Sequence, residues 1–223
     1  MQFSKDASEL RNNNPGSLLS SDLISLLRGD ILKGKYAKGD KLTEQKICSD
    51  YNISRTPVRE AFHKLETEGL IETVPNRGAF VLGFSRQDAR DIFDLRKSYE
   101  IQAVKWAVQR ITDEEFDIFA ENFEFMEFYT GKNDIGKMLN INMNFHQIIY
   151  LATHNQMLYN ILTYYQLYLN HLREAPVHGV DYLSLLLEEH REIYVAIKER
   201  NGLYGAEAMS RHLDNSLARY YNA

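Results

Sequence analysis

Leu19, Leu23, Leu26, Leu27 and Ile31 recur at three- and four-residue intervals ahead of Gly34, which is the spacing of one apolar helix face. They predict a first helix of about four turns. After a Gly39-Asp40 turn, residues 43–50 read as a short second helix and Asn52-Ile53-Ser54 as a tight corner. Pro57 is expected to open a third helix, with Val58, Ala61, Phe62 and Leu65 on its inner face and Gly69 ending it. Two β-prone runs, 71–74 and 79–82, flank Pro75-Asn76-Arg77-Gly78, which is hairpin chemistry. Ahead of all this, Asn12-Asn13-Asn14-Pro15-Gly16 is a turn cluster with nothing periodic before it, so residues 1–16 read as a flexible tail.

From Ser85 the apolar period lengthens into long helices, with no proline between Pro75 and Pro176. Ser85 with Asp88, and Thr112 with Glu115, fit the pattern of a capping hydroxyl followed by an acid in the first turn. Further helical stretches are expected at about 135–153, 157–173, 182–198 and 205–220. They are separated by Gly131 to Asp134, His154-Asn155, Pro176 to Gly179 and Asn201-Gly202. The expectation is a mainly α chain, with a winged helix-turn-helix over residues 17–83 joined to an all-helical antiparallel bundle over residues 84–223.

Composition narrows the class. The 223 residues are 44% hydrophobic, enough for a packed core, and no stretch approaches the ~20 apolar residues that cross a bilayer. With a polar start as well, the chain is expected in the cytoplasm and off the membrane. The single cysteine, Cys48, excludes an internal disulfide and a Cys-rich zinc cluster, so any metal must be held by His, carboxylate or amide groups. The net charge of −5 is uneven: residues 1–84 carry 12 basic and 11 acidic side chains, residues 85–223 carry 14 and 20. A near-neutral head on an acidic body is compatible with a DNA reader but does not by itself announce one.

The third short helix supplies the chemistry. Arg55 and Arg59, four apart, share the face opposite the apolar one. Guanidinium groups there can reach guanine O6 and N7 or clamp phosphate, and Ser54 and Thr56 can add hydroxyl donors. Arg77 sits at the hairpin tip. The plain alternative is that both arginines only solvate a surface. The run Ser54-Arg-Thr-Pro-Val-Arg-Glu-Ala61, then Leu65-Glu-Thr-Glu-Gly-Leu70, then Pro75-Asn-Arg-Gly78 and Val81, resembles the DNA-binding domain of GntR-type bacterial transcription regulators. Gly34, Gly39, Leu42 and Glu44 fall at further signature positions of that family. The resemblance covers about residues 18–82 and implies DNA contacts from Arg55 and Arg59, from Gln45 or Lys46, and from Asn76 and Arg77. Gln45 departs from the basic residue often found there.

In the second half, Asn142 and His146 share a stripe with Met138, Phe145 and Ile149. His190 lies among Leu183, Leu186, Leu187 and Ile197, and His212 beside Met209, Leu213 and Tyr220. Three imidazoles on apolar stripes need partners, which can be separate hydrogen bonds or one shared divalent ion. The arrangement Asn142-Met-Asn-Phe-His146, Glu189-His190 with Ile193, and Met209-Ser-Arg-His212-Leu213 resembles the metal-binding FCD effector domain of the FadR branch of the GntR family. That resemblance covers about residues 85–220 and implies a divalent ion, zinc favoured with nickel or manganese as alternatives, held by Asn142, His146, His190 and His212. Asn142 stands where the family usually has aspartate, so an ion there would keep its full charge and favour an anion. The resemblance also implies a small organic acid effector.

Arg96, on a stripe read as Ile92, Tyr99 and Ala103, is a candidate contact for that acid; the alternative is an i,i+4 salt bridge to Glu100. Arg173 is a second candidate, or simply a favourable charge at a helix end. No His-Glu-x-x-His pattern is present, which counts against a metalloenzyme. The expected function is a ligand-responsive, sequence-specific DNA-binding regulator acting as a homodimer on double-stranded operator DNA. The alternative is a regulator for which the metal itself is the signal.

Overall fold

Leu23, Leu26, Leu27 and Ile31 bury one side of α1 (Ser20–Leu32) in a computed structural model that describes residues 20–75, 77–83, 85–172 and 181–221. The expected tail over 1–16, and two candidate contacts, Asn76 and Arg173, lie outside the described residues. α2 (Glu44–Tyr51) starts at Thr43, whose hydroxyl accepts from the Lys46 amide at 3.2 Å. It ends at Asn52, in the left-handed region at φ 50°. That conformation, which asparagine tolerates better than most residues, turns the chain sharply into α3 (Arg55–Thr67). The third helix therefore opens two residues before Pro57. Proline fits inside a first turn because the amides there have no intrahelical acceptor to lose.

α3 buries Val58, Ala61, Phe62 and Leu65, as its spacing predicts. Arg28 of α1 donates from Nε and Nη2 to the two carboxylate oxygens of Glu68, at 2.8 and 2.7 Å. This buried fork ties the first helix to the end of the third. The wing is a sheet of β1 (Lys41–Leu42), β2 (Ile71–Val74) and β3 (Gly78–Val81) in the order β1-β3-β2, all antiparallel. Thr73 pairs with Ala79 and Val74 with Gly78, so the second strand begins one residue earlier than expected and ends one earlier. β1 was not expected at all. Two residues carry no period, and they become a strand only because β3 offers an edge and Leu42 is buried beneath it.

The described residues form two compact units, one ending at Arg86 and one beginning at Gln87. The second is built from α4 (Arg86–Arg110), α5 (Asp113–Gly131), α6 (Ile135–Ala152), α7 (Gln156–Leu172), α8 (Tyr182–Lys198) and α9 (Gly202–Tyr221). The Thr112 hydroxyl accepts from the Glu115 amide and the Glu115 carboxylate accepts from the Thr112 amide, at 3.2 and 3.0 Å, a complete capping box. α9 starts three residues earlier than its apolar period suggests, because Asn201 accepts from the Tyr204 amide at 3.1 Å and supports an extra turn. α5 packs against α6 and α8, α6 against α7, and α8 against α9. Phe119, Met126, Met138, Phe145, Tyr150, Leu162, Ile193 and Met209 are fully enclosed at the centre.

Candidate metal centre and nucleic-acid interface

Three helices of the second unit bring their histidines together. His146 (α6), His190 (α8) and His212 (α9) are buried, their ring centres 4.4 to 5.4 Å apart. One nitrogen of each lies within 4.8 Å of those of the other two. On every ring Nδ1 is tied down. His190 Nδ1 donates to the Leu186 carbonyl at 2.7 Å, His146 Nδ1 to Glu100 Oε2 at 2.7 Å and His212 Nδ1 to Glu189 Oε2 at 2.9 Å. Carbonyls and ionised carboxylates only accept, so each Nδ1 carries a hydrogen, which leaves Nε2 as the atom each ring can offer to an ion.

The carboxylates are held in that state by their own partners. Burial works to raise the Glu100 carboxyl, but Arg96 and His146 outweigh it and keep it well below the ordinary range. Tyr150 Oη donates to Glu100 at 2.7 Å, and Arg96 Nε forms an ion pair with it. Burial likewise opposes ionisation of Glu189, yet hydrogen bonds from Arg219 and His212 hold it at about 2. Arg219 forks onto Glu189 at 2.8 and 2.7 Å, and Asn215 donates to it at 2.8 Å. Burial pushes His212 down to about 4 against the pull of Glu189, and burial with the two neighbouring imidazoles pushes His190 well below its usual value.

The donor set suits a cation. Nε2 of His146, Nε2 of His190 and Oδ1 of Asn142 are buried with no hydrogen-bond partner among the described residues. Each such atom left unpaired costs about 1–3 kcal/mol. Two imidazoles with an unpaired Nε2, close to a third imidazole, and an unpaired amide oxygen one turn before His146 on α6 are the ligand types a divalent ion accepts. The three expected histidines converge here, and Asn142 lies one turn before His146 on α6; the roles of Glu100 and Glu189, which hold His146 and His212, have no counterpart in the sequence expectation. Carboxylates do accompany the histidines, from the Nδ1 side and from other helices, so no local motif signals them. Arg96 is buried as expected, but Tyr99 is 37% exposed; the inward stripe of α4 is Ala89, Phe93, Arg96, Glu100, Ala103 and Ala107. The charged pair lies within that stripe because each member neutralises the other.

In the first unit, Gln45, Lys46, Ser54, Arg55, Thr56, Arg59 and Arg77 are all exposed. Ser54 is the N-cap residue of α3 and makes no side-chain capping bond. Lys46 Nζ lies 5.6 Å from the Tyr36 ring centre, and the Arg77 guanidinium 5.7 Å from that of Phe80. Arg59 Nε donates to Glu44 Oε1 at 2.8 Å.

Comparison with known proteins agrees with both halves. Residues 91–215, more than half of the chain, match the FCD domain, and residues 19–81 match the bacterial regulatory proteins of the gntR family. The chain belongs to the GntR regulators that carry an FCD domain. This GntR/FCD protein is 27% identical over 200 residues to the HTH-type transcriptional repressor RspR of Escherichia coli, covering 90% of this chain and 88% of the relative. It is 25% identical to the HTH-type transcriptional regulator LutR of Bacillus subtilis, covering 83% and 93%. Its fold is similar to the solved structure of E. coli McbR/YncC, with a TM-score of 0.70 at 21% identity over 92% of this chain and 98% of the other. The GntR/FCD chain is thus a sequence-specific transcription regulator with an FCD effector domain. Its relatives are regulators rather than enzymes, and among the described residues no helix is long and apolar enough to cross a membrane.

Proposed function

We propose that this regulator binds a divalent ion, zinc by preference, through His146, His190, His212 and Asn142, and that a small carboxylate bound there alters how a homodimer engages operator DNA. The observation carrying this reading is the convergence of three imidazoles whose Nδ1 sides are all committed, with Nε2 of two of them and the Asn142 oxygen unsatisfied. Charge supports the effector class. Arg96 balances Glu100 and Arg219 balances Glu189, while the three imidazoles and the amide bring no negative charge. A bound divalent ion would supply an uncompensated positive centre with open positions for a carboxylate. Arg96, whose Nε is committed to Glu100, adds no net charge, so the attraction for a carboxylate comes from the ion itself. Binding that favours one arrangement of the dimer then shifts DNA affinity by that difference.

On the DNA side, Arg55 and Arg59 read bases from α3, while Ser54, Thr56, Lys46, Gln45 and Arg77 hold the backbone. The test is metal analysis of protein purified without chelator, paired with DNA-binding titrations. One equivalent of ion per chain is expected, lost together with several degrees of thermal midpoint in His146→Ala. A metal-free protein whose His146→Ala variant melts like wild type overturns the metal site. DNA affinity that follows free metal with no carboxylate present would instead make the ion itself the signal.

A further inference from the structure

Glu44 is an acid on the surface assigned above to DNA, where a bare carboxylate would repel phosphate. It is the first residue of α2, and its Oε1 accepts from Arg59 Nε of α3 at 2.8 Å, across the corner formed by residues 52–54. The Arg55 guanidinium also acts on it through space. The Arg59 and Glu44 side chains are 64% and 34% exposed, and so open an ion pair does little for the stability of the fold. Its effect is on geometry. A guanidinium is a planar fork; when Nε is held, the edge formed by Nη1 and Nη2 is aimed, and that edge matches O6 and N7 of a guanine. An unrestrained arginine must surrender its rotamer freedom at the moment of binding, and one already held by Glu44 surrenders less.

We propose that Glu44 is a positioning residue for DNA recognition, fixing the Arg59 guanidinium by its Nε so that the Nη1–Nη2 edge meets a base. The proposal rests on the reading of α3 as the recognition helix. It makes the acid a source of sequence discrimination and predicts opposite effects on specific and random DNA.

The experiment uses the full chain and two duplexes of equal length, one selected from random sequence by the wild-type protein and one unselected competitor, each titrated at two salt concentrations. Glu44→Ala is expected to lower the affinity ratio of selected to competitor duplex roughly tenfold, while competitor binding itself tightens as a negative charge is lost. Glu44→Gln, whose amide oxygen still accepts from Nε, is expected to keep the ratio while competitor binding tightens to the same degree. Unchanged helix content and melting in both variants show that the fold is intact. A ratio that moves equally in the alanine and glutamine variants, or in neither, overturns the proposal, because the hydrogen bond then explains nothing. Arg59→Ala separates the two readings. A ratio preserved there overturns α3 as the reader and the role of Glu44 with it, whereas a ratio lost there and kept in Glu44→Ala overturns Glu44 alone.

Discussion

Glu100 is fully enclosed and accepts from Tyr150 and His146, both at 2.7 Å, while pairing with Arg96. Removing it strands a buried guanidinium and a buried phenol. Glu100→Ala should therefore cost about 3–5 kcal/mol in denaturant unfolding and reduce metal affinity ~10- to 100-fold by freeing the His146 ring; a near-normal unfolding midpoint would contradict the network. Arg59→Ala belongs to the opposite class. Its exposed side chain leaves the thermal midpoint unchanged, and specific DNA binding, measured by competition against random duplex, should disappear. Only part of this was legible beforehand. The i,i+4 spacing of Arg96 and Glu100 predicts their pairing, but nothing local links Glu100 to a histidine 46 positions away.

Helix approach is decided at Gly205 in α9. A Cβ there would sit 2.5 Å from Val104 Cγ1 of α4 and 3.4 Å from Ala196 Cβ of α8, so the helices meet where only hydrogen fits. Glycine inside a helix ordinarily loses ~1 kcal/mol against alanine. Gly205→Ala should nevertheless destabilise, by about 1–3 kcal/mol, and adding Val104→Ala should restore part of the loss in the same unfolding assay. An increase in the thermal midpoint of Gly205→Ala would show that the approach is looser. Periodicity located these helices to within a few residues, and the Thr112 capping box was readable as a motif. The reason for a glycine in the last helix was not, since it depends on which neighbours come close. β1 was equally hidden, being a strand only by virtue of the edge it meets.

The whole helical unit carries a pH signature. His212 at about 4 and His190 well below its usual value bind protons more weakly folded than unfolded. Their contribution is complete above the unfolded histidine value of ~6.5 and is lost as pH falls toward 4, on the order of 3 kcal/mol for His212. Glu189, held at about 2, and Glu100 extend the loss below the ordinary carboxylate range. Melting of the chelated protein between pH 7 and pH 4 should show a steadily falling midpoint, and a flat profile would contradict the burial of neutral imidazoles. At this scale, the amphipathic periods and the winged-head motifs were set by sequence alone, because each depends on spacing within one helix or turn, whereas the four candidate ligands came from a family resemblance and not from spacing. Which carboxylates orient the histidines, which stripe of α4 turns inward, and that Glu44 holds Arg59 were decided only by tertiary structure. Those contacts join side chains that the chain keeps far apart, and no local pattern records which of them folding brings within hydrogen-bond reach.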